Sequence, residues 1–196
     1  MFKLICVTNR TLCNEDFLTR IEKIASAKVS AIILREKDLT EAEYEALAVK
    51  VMKICEKYEA NLILHNFTEA AIKLKANALH LPLAKLRELS AEDKKQFKVL
   101  GASCHSLKDA IEAENLGCTY ITAGHIFDTN SKKGIPGRGI PFLKEICVSL
   151  SIPIYAIGGI TPENALEVKN AGASGGCVMG EFMRCDDISA YVKSFA

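Results

Sequence analysis

At 196 residues, with 49 % apolar and 25 % charged residues, the chain has the size and composition of one soluble domain. A domain of this size buries roughly 70 % of its unfolded surface and needs neither metals nor disulfides to be stable. Its formal charge is +1, with acidic and basic residues interleaved, which argues against nucleic acid or a membrane as partner and for a small molecule.

The chain starts Met1-Phe2-Lys3 and passes directly into an apolar run at 4–7. That run is too short for a signal sequence or a membrane span, so a cytoplasmic protein is expected. Eight scattered cysteines with no CxxC pair read as small buried hydrophobes of a reducing compartment. Short β-rich runs then alternate with longer amphipathic stretches, the signature of repeated βα units on a parallel sheet. The predicted strands cover 3–8, 31–35, 61–65, 78–81, 99–103, 120–124, 153–157 and 175–179. Most are apolar throughout, as strands covered on both faces must be. Eight units in so short a chain predict an α/β fold, a single (β/α)8 TIM barrel over 1–196. A doubly wound open sheet is the alternative, but it would carry glycines after its first strand, where this sequence has Thr8-Asn9-Arg10.

The clearest helix is predicted over 41–57, with Leu47, Val51, Ile54 and Tyr58 at helical spacing and Thr40 as its N-cap. Asp38 and Thr161-Pro162 also read as helix starts. Strand two ends Ile33-Leu34-Arg35-Glu36-Lys37. If it persists, Arg35 and Lys37 point the same way into the barrel mouth, where they suit a carboxylate or phosphate; a solvated turn would also explain them. His65, His80, His105 and His125 fall at or just past the ends of strands three to six, the catalytic rim of such barrels. Each could be a structural histidine. A metal reading would need carboxylates or thiolates at site spacing, and only Cys104 beside His105 hints at that. His125 is the sharpest candidate, because it follows Gly124 at the head of the long loop 127–139 and imidazole titrates near neutrality. That loop carries Thr129, Lys132 and several glycines, and reads as a lid, although an exposed loop would look similar.

Gly158-Gly159 closes strand seven, and Gly175-Gly176 and Met179-Gly180 belong to strand eight and its exit. Phosphate is often held by the loops after these two strands. Unencumbered N–H groups before a helix can face an anion; tight-turn geometry alone would also use glycine.

Taken together, Leu34-Arg35-Glu36-Lys37, Gly101-Ala102-Ser103-Cys104-His105, residues 124–134 and Ala156-Ile157-Gly158-Gly159-Ile160 resemble the thiamin phosphate synthase superfamily, in order and spacing, across essentially the whole chain. The superfamily has a synthase branch, which needs Mg²⁺ held by carboxylates after strands three and four, and a TenI branch known for thiazole tautomerase. Here those positions read His65-Asn66 and Leu81-Pro82-Leu83-Ala84-Lys85, and the glutamine that opens the synthase's strand-two motif is Ile33. Gly124-His125-Ile126-Phe127 resembles the TenI branch, where the synthase pattern has Gly-Pro-Ile-Phe. The resemblance implies a metal-free and cofactor-free isomerase acting on a small phosphorylated thiazole carboxylate, with His125 as acid/base. Arg35 or Lys37 would then meet the carboxylate, Gly158, Gly159, Met179 and Gly180 the phosphate, and Thr129 and Lys132 would close over it. His65 stands where the TenI pattern commonly has asparagine, and with His105 it is an auxiliary candidate. The synthase itself and a non-catalytic ligand-sensing barrel are the competing expectations, and a homodimer is left open.

Overall fold

Each apolar run pairs with the next as a parallel strand, and the last returns to the first. In the computed structural model, which describes residues 2–195, the strands are β1 Lys3–Val7, β2 Ala31–Leu34, β3 Leu62–His65, β4 Ala78–Pro82, β5 Val99–Cys104, β6 Tyr120–Gly124, β7 Ile154–Ile157 and β8 Gly175–Val178. They close in the order β1 to β8 with β8 against β1, so the chain is a (β/α)8 barrel and the open-sheet alternative is excluded. The helices outside it are α1 Phe17–Ser26, α2 Glu41–Lys57, α3 Thr68–Lys73, α4 Leu83–Glu88, α5 Ala91–Lys94, α6 Leu107–Asn115, α7 Gly139–Ser149, α8 Ala165–Asn170, α9 Gly180–Arg184 and α10 Ile188–Lys193. No helix among the described residues is long and apolar enough to cross a membrane.

Alternation along the strands makes two cores. On β2, Ile32 and Leu34 face the helices and join the large outer core, whereas Ala31 and Ile33 face the barrel axis. Both faces are dry, which is why the strands read as unbroken apolar runs. The axis holds rings as well as aliphatic groups: Tyr120 lies edge-on to Tyr155, in space that Gly101 leaves open by having no Cβ. A concavity of about 770 Å³ opens at the N-terminal end of the barrel, among Lys3, Asn61, Ala78 and Tyr155, opposite the end where the histidines gather.

Helix α2 spans the expected 41–57, and Thr40 caps it in a complete capping box with Glu43. Its buried face is Tyr44, Ala48, Val51 and Cys55. Leu47 and Ile54 only flank that face, and Tyr58 is the C-cap, bonding Glu22 through its hydroxyl. Asp38 is not a helix start: both its oxygens bind the Arg10 guanidinium at 2.7 Å. Nor do Thr161-Pro162 begin a helix. They lead a turn in which Thr161 N–H donates to Asn164 Oδ1, and α8 begins only at Ala165.

Tyr44 ties this helix to the rim. Its buried hydroxyl donates to the Leu34 carbonyl at 2.7 Å and accepts from the His65 N–H at 2.8 Å, joining the ends of β2 and β3. Tyr44→Phe would strand both backbone groups in a dry interior. It should cost about 1–3 kcal/mol in a urea-unfolding experiment; an unchanged midpoint would show that the rim does not need this bond.

Candidate active site

The C-terminal mouth is organised by what is done with charge. β2 stops at Leu34, so Arg35 and Lys37 lie just beyond it rather than on it. Glu36 between them is turned away and buried: Thr8 Oγ1 donates to it at 2.6 Å, the Arg10 N–H at 3.0 Å and Arg10 Nη1 at 3.2 Å. Thr8 Oγ1 also accepts the Arg35 N–H at 2.9 Å. With its acidic neighbour spent, Arg35 is a half-buried cation that forms no ion pair among the described residues, and the same is true of Lys37 and Lys132. Burial lowers the Arg35 pKa. The Arg35 charge is the first cause of the lowered Lys37 pKa, followed by partial burial and Lys132 on the loop 127–139. The predicted cations therefore converge on Lys37, and unpaired cations gathered this closely favour a bound anion.

His65 and His80 lie in register on β3 and β4, their rings stacked at 5.7 Å. Both are buried. His80 Nδ1 is 2.8 Å from the Tyr120 hydroxyl and Nε2 is 2.8 Å from Ser103 Oγ. A buried O–H without an acceptor costs more than an unused lone pair. Tyr120 therefore donates to Nδ1 and Nε2–H donates to Ser103, which leaves the Ser103 hydroxyl proton outside this chain of bonds. Burial first, then the charge of Arg35, pushes the His80 pKa down to about 3. His65 is pushed down to about 2 by burial, then by His80, Arg35, Lys37 and Lys85. Both rings are neutral at physiological pH. His65 thus joins the mouth as predicted, but as a poor proton acceptor. The role of Ser103 and Tyr120 had no sequence signal beyond their strand positions.

His105 is exposed and donates through Nδ1 to the Gly124 carbonyl at 3.0 Å, while its own N–H is held by Asp109. It braces the end of β6 from outside. His125 follows a cis peptide at Gly124 and is half-buried at the mouth. Its Nε2 lies 3.0 Å from the carbonyl of Ile135 on the loop 127–139. Thr129 caps the short turn Asn130–Lys132 on the same loop.

Gly158 and Gly159 have φ of +95° and +67°, a region that only glycine enters without strain. They also admit the His125 segment: Ile126 N–H donates to Ile157 O, and Phe127 N–H to Gly158 O, both at 3.0 Å. A Cβ on Gly158 would collide with His125, and one on Gly159 would stand 2.7 Å from Phe127 Cβ. The turn is thus a seat for His125 as well as a candidate anion cradle. It does not run directly into a helix, since α8 begins at Ala165 and is six residues long, so the expected helix-dipole contribution is withdrawn. What remains are the N–H groups of Gly158 and Gly159, for which no described residue supplies an acceptor. Met179 packs against the axial core, and over Gly180 lies the Arg184 guanidinium, within 2.7 Å of where a Cβ would be, a cation beside this backbone that spacing alone did not single out. Gly158→Ala should leave the barrel folded but shift His125. A displacement of about 1 Å lowers turnover by about 10²-fold; a wild-type rate in this variant would contradict the seating role.

Among the described residues, no three His, Cys, Asp or Glu side chains gather in a way that could hold a metal. The acidic groups near the mouth are occupied: Glu36 and Asp38 by Arg10, Asp109 by the His105 N–H, and Asp128 by the Gly137 N–H. The residues present do not fit the Mg²⁺ that a synthase would need.

The family described as Thiamine monophosphate synthase, TMP-TENI, matches residues 4–182. The chain belongs to this family. It is 34 % identical to Thiamine-phosphate synthase 2 of Streptococcus pneumoniae, with 98 % of this chain and 93 % of that protein covered. It is likewise 34 % identical to the Thiamine-phosphate synthase of Clostridium acetobutylicum, over 95 % of this chain and 90 % of that one. Among solved structures it is similar to thiamine phosphate pyrophosphorylase from Pyrococcus furiosus, with a TM-score of 0.84 at 26 % identity, covering 99 % and 93 % of the two chains. The Streptococcus and Clostridium relatives carry synthase names.

Proposed function

We propose that this member of the family is a thiazole tautomerase, isomerising a thiazole carboxylate phosphate tautomer to its aromatic form without a metal. The observation that carries the reading is the composition of the mouth: no metal-holding group of side chains gathers there among the described residues. Asn66 and the stretch 81–85 stand where the resemblance gives a Mg²⁺-binding synthase carboxylates, and what lines the mouth are free cations and the neutral imidazole of His65. The substrate is dianionic at the phosphate and anionic at the carboxylate. Arg35 and Lys37 meet the carboxylate, and the N–H groups at Gly158, Gly159 and Gly180 meet the phosphate, with Lys132 closing from the lid. His125 takes the ring proton beside the carboxylate, the electron pair moves through the ring to the exocyclic carbon, and the same imidazolium protonates that carbon. Arg35 stabilises the charge that develops in between. Aromatisation drives the reaction, so an acid/base contribution of about 10² to 10⁴-fold suffices.

The synthase reading is favoured by the names of the relatives at 34 % identity. The two separate in one assay, in which the protein is given the pyrimidine diphosphate, the thiazole phosphate and Mg²⁺. The tautomerase reading predicts no thiamin phosphate above background. Sustained, Mg²⁺-dependent formation of thiamin phosphate would replace it with the synthase.

A further inference from the structure

We infer that the lid backbone, through the Ile135 carbonyl, fixes the tautomer of His125 so that Nδ1 is the atom that takes and returns the proton. The inference rests on the tautomerase reading of His125. A carbonyl accepts hydrogen bonds and cannot donate, so at 3.0 Å from Ile135 O the Nε2 atom carries the hydrogen. The neutral ring then has its lone pair on Nδ1, which no described residue contacts by a hydrogen bond. When Nδ1 accepts the substrate's ring proton, the imidazolium that forms keeps its Nε2–H on the same carbonyl. Its dipole steadies the charge and the ring plane, as a third group does behind a catalytic base. Nδ1–H then returns its proton to the exocyclic carbon, and the ring ends in the state it began.

The lid is built to hold that carbonyl still. Ile135 N–H donates to Lys132 O at 3.1 Å, Arg138 N–H to His125 O at 3.0 Å, Gly139 N–H to Ile126 O at 2.8 Å, and Gly137 N–H to Asp128 Oδ1 at 2.8 Å. The Ile135 side chain is 55 % exposed, so what the loop positions at this residue is its backbone. The lid is then part of the proton-transfer machinery as well as a shield against water, and Ile135 is a positioning residue.

The test reads the tautomer directly. In uniformly ¹⁵N-labelled protein without substrate, long-range ¹H–¹⁵N correlation distinguishes the two neutral forms, and His125→Gln assigns the signal by its loss. The expected form is Nε2–H; an Nδ1–H ring in the folded wild type overturns the inference while leaving His125 as a base. Gly137→Ala supplies the functional arm, because its Cβ would stand 2.5 Å from Ile126 O and 2.8 Å from Phe127 Cα and must move the lid. It should mix the tautomers and lower kcat about 10-fold or more, with KM changed less. Mixed tautomers with undiminished kcat would overturn the inference, and if this variant does not fold, the wild-type spectrum still decides. Full turnover by His125→Gln would overturn the tautomerase reading together with the inference.

Discussion

His125→Ala should slow isomerisation of the thiazole carboxylate phosphate by about 10² to 10⁴-fold, the usual worth of a positioned acid/base, while leaving ligand affinity nearly unchanged. The proposed phosphate and carboxylate contacts come from Arg35, Lys37 and backbone N–H groups, none of which the substitution removes. Single-turnover rates and equilibrium binding of the substrate separate the two effects. His65 and His80 are the other imidazoles at the mouth, and burial drives their pKa values down to about 2 and about 3, which makes both weak bases. His105 is engaged with the Gly124 carbonyl outside β6. An unaffected rate in His125→Ala would therefore leave no well-matched imidazole for the chemistry and would remove the tautomerase mechanism.

Acid should destabilise the fold unusually early. His65 and His80 have native pKa values of about 2 and about 3, against 6.5 for a free imidazole. Above pH 6.5 both rings are neutral in either state and the stability is fully present. Below it the unfolded chain binds protons that the native chain refuses, so stability falls as pH falls toward the native values. Between pH 7 and pH 5 the two rings together should cost about 4 kcal/mol, measured as the loss in urea-unfolding free energy. His65→Asn should recover about half of that loss, because only one ring is then left to charge. A stability that does not change over this interval would mean that the rings are not held neutral by the fold.

The barrel was legible because two-sided burial writes itself into a sequence as eight apolar runs, and β6 and α2 match their expected ranges to the residue. The misjudged helix starts, Asp38 and Thr161-Pro162, have suitable side chains, but tertiary partners claim them: Arg10 takes Asp38, and Asn164 closes a turn on Thr161. The same limit applies to the site. Arg35, Lys37 and the histidines could be found from their position at strand ends. That Glu36 is withdrawn by Thr8 and Arg10, 26 to 28 residues away in the chain, could not, although it is what leaves the cations free. The axial chain from Tyr120 through His80 to Ser103 was hidden for a related reason. Its members lie on three neighbouring strands, and only the register of the β4–β5 and β5–β6 pairings brings them together. The Gly158-Gly159 turn could be read in the sequence as a candidate anion cradle, whereas its part in admitting His125 depends on the register between β6 and β7.

The most direct measurement is conversion of the thiazole carboxylate phosphate tautomer to its aromatic isomer, followed by proton NMR with purified protein in the presence of excess chelator. The proposed mechanism predicts enzyme-dependent formation of the aromatic product at the same rate with and without chelator. A rate equal to the buffer control, or one abolished by chelator and restored by Mg²⁺, would contradict it.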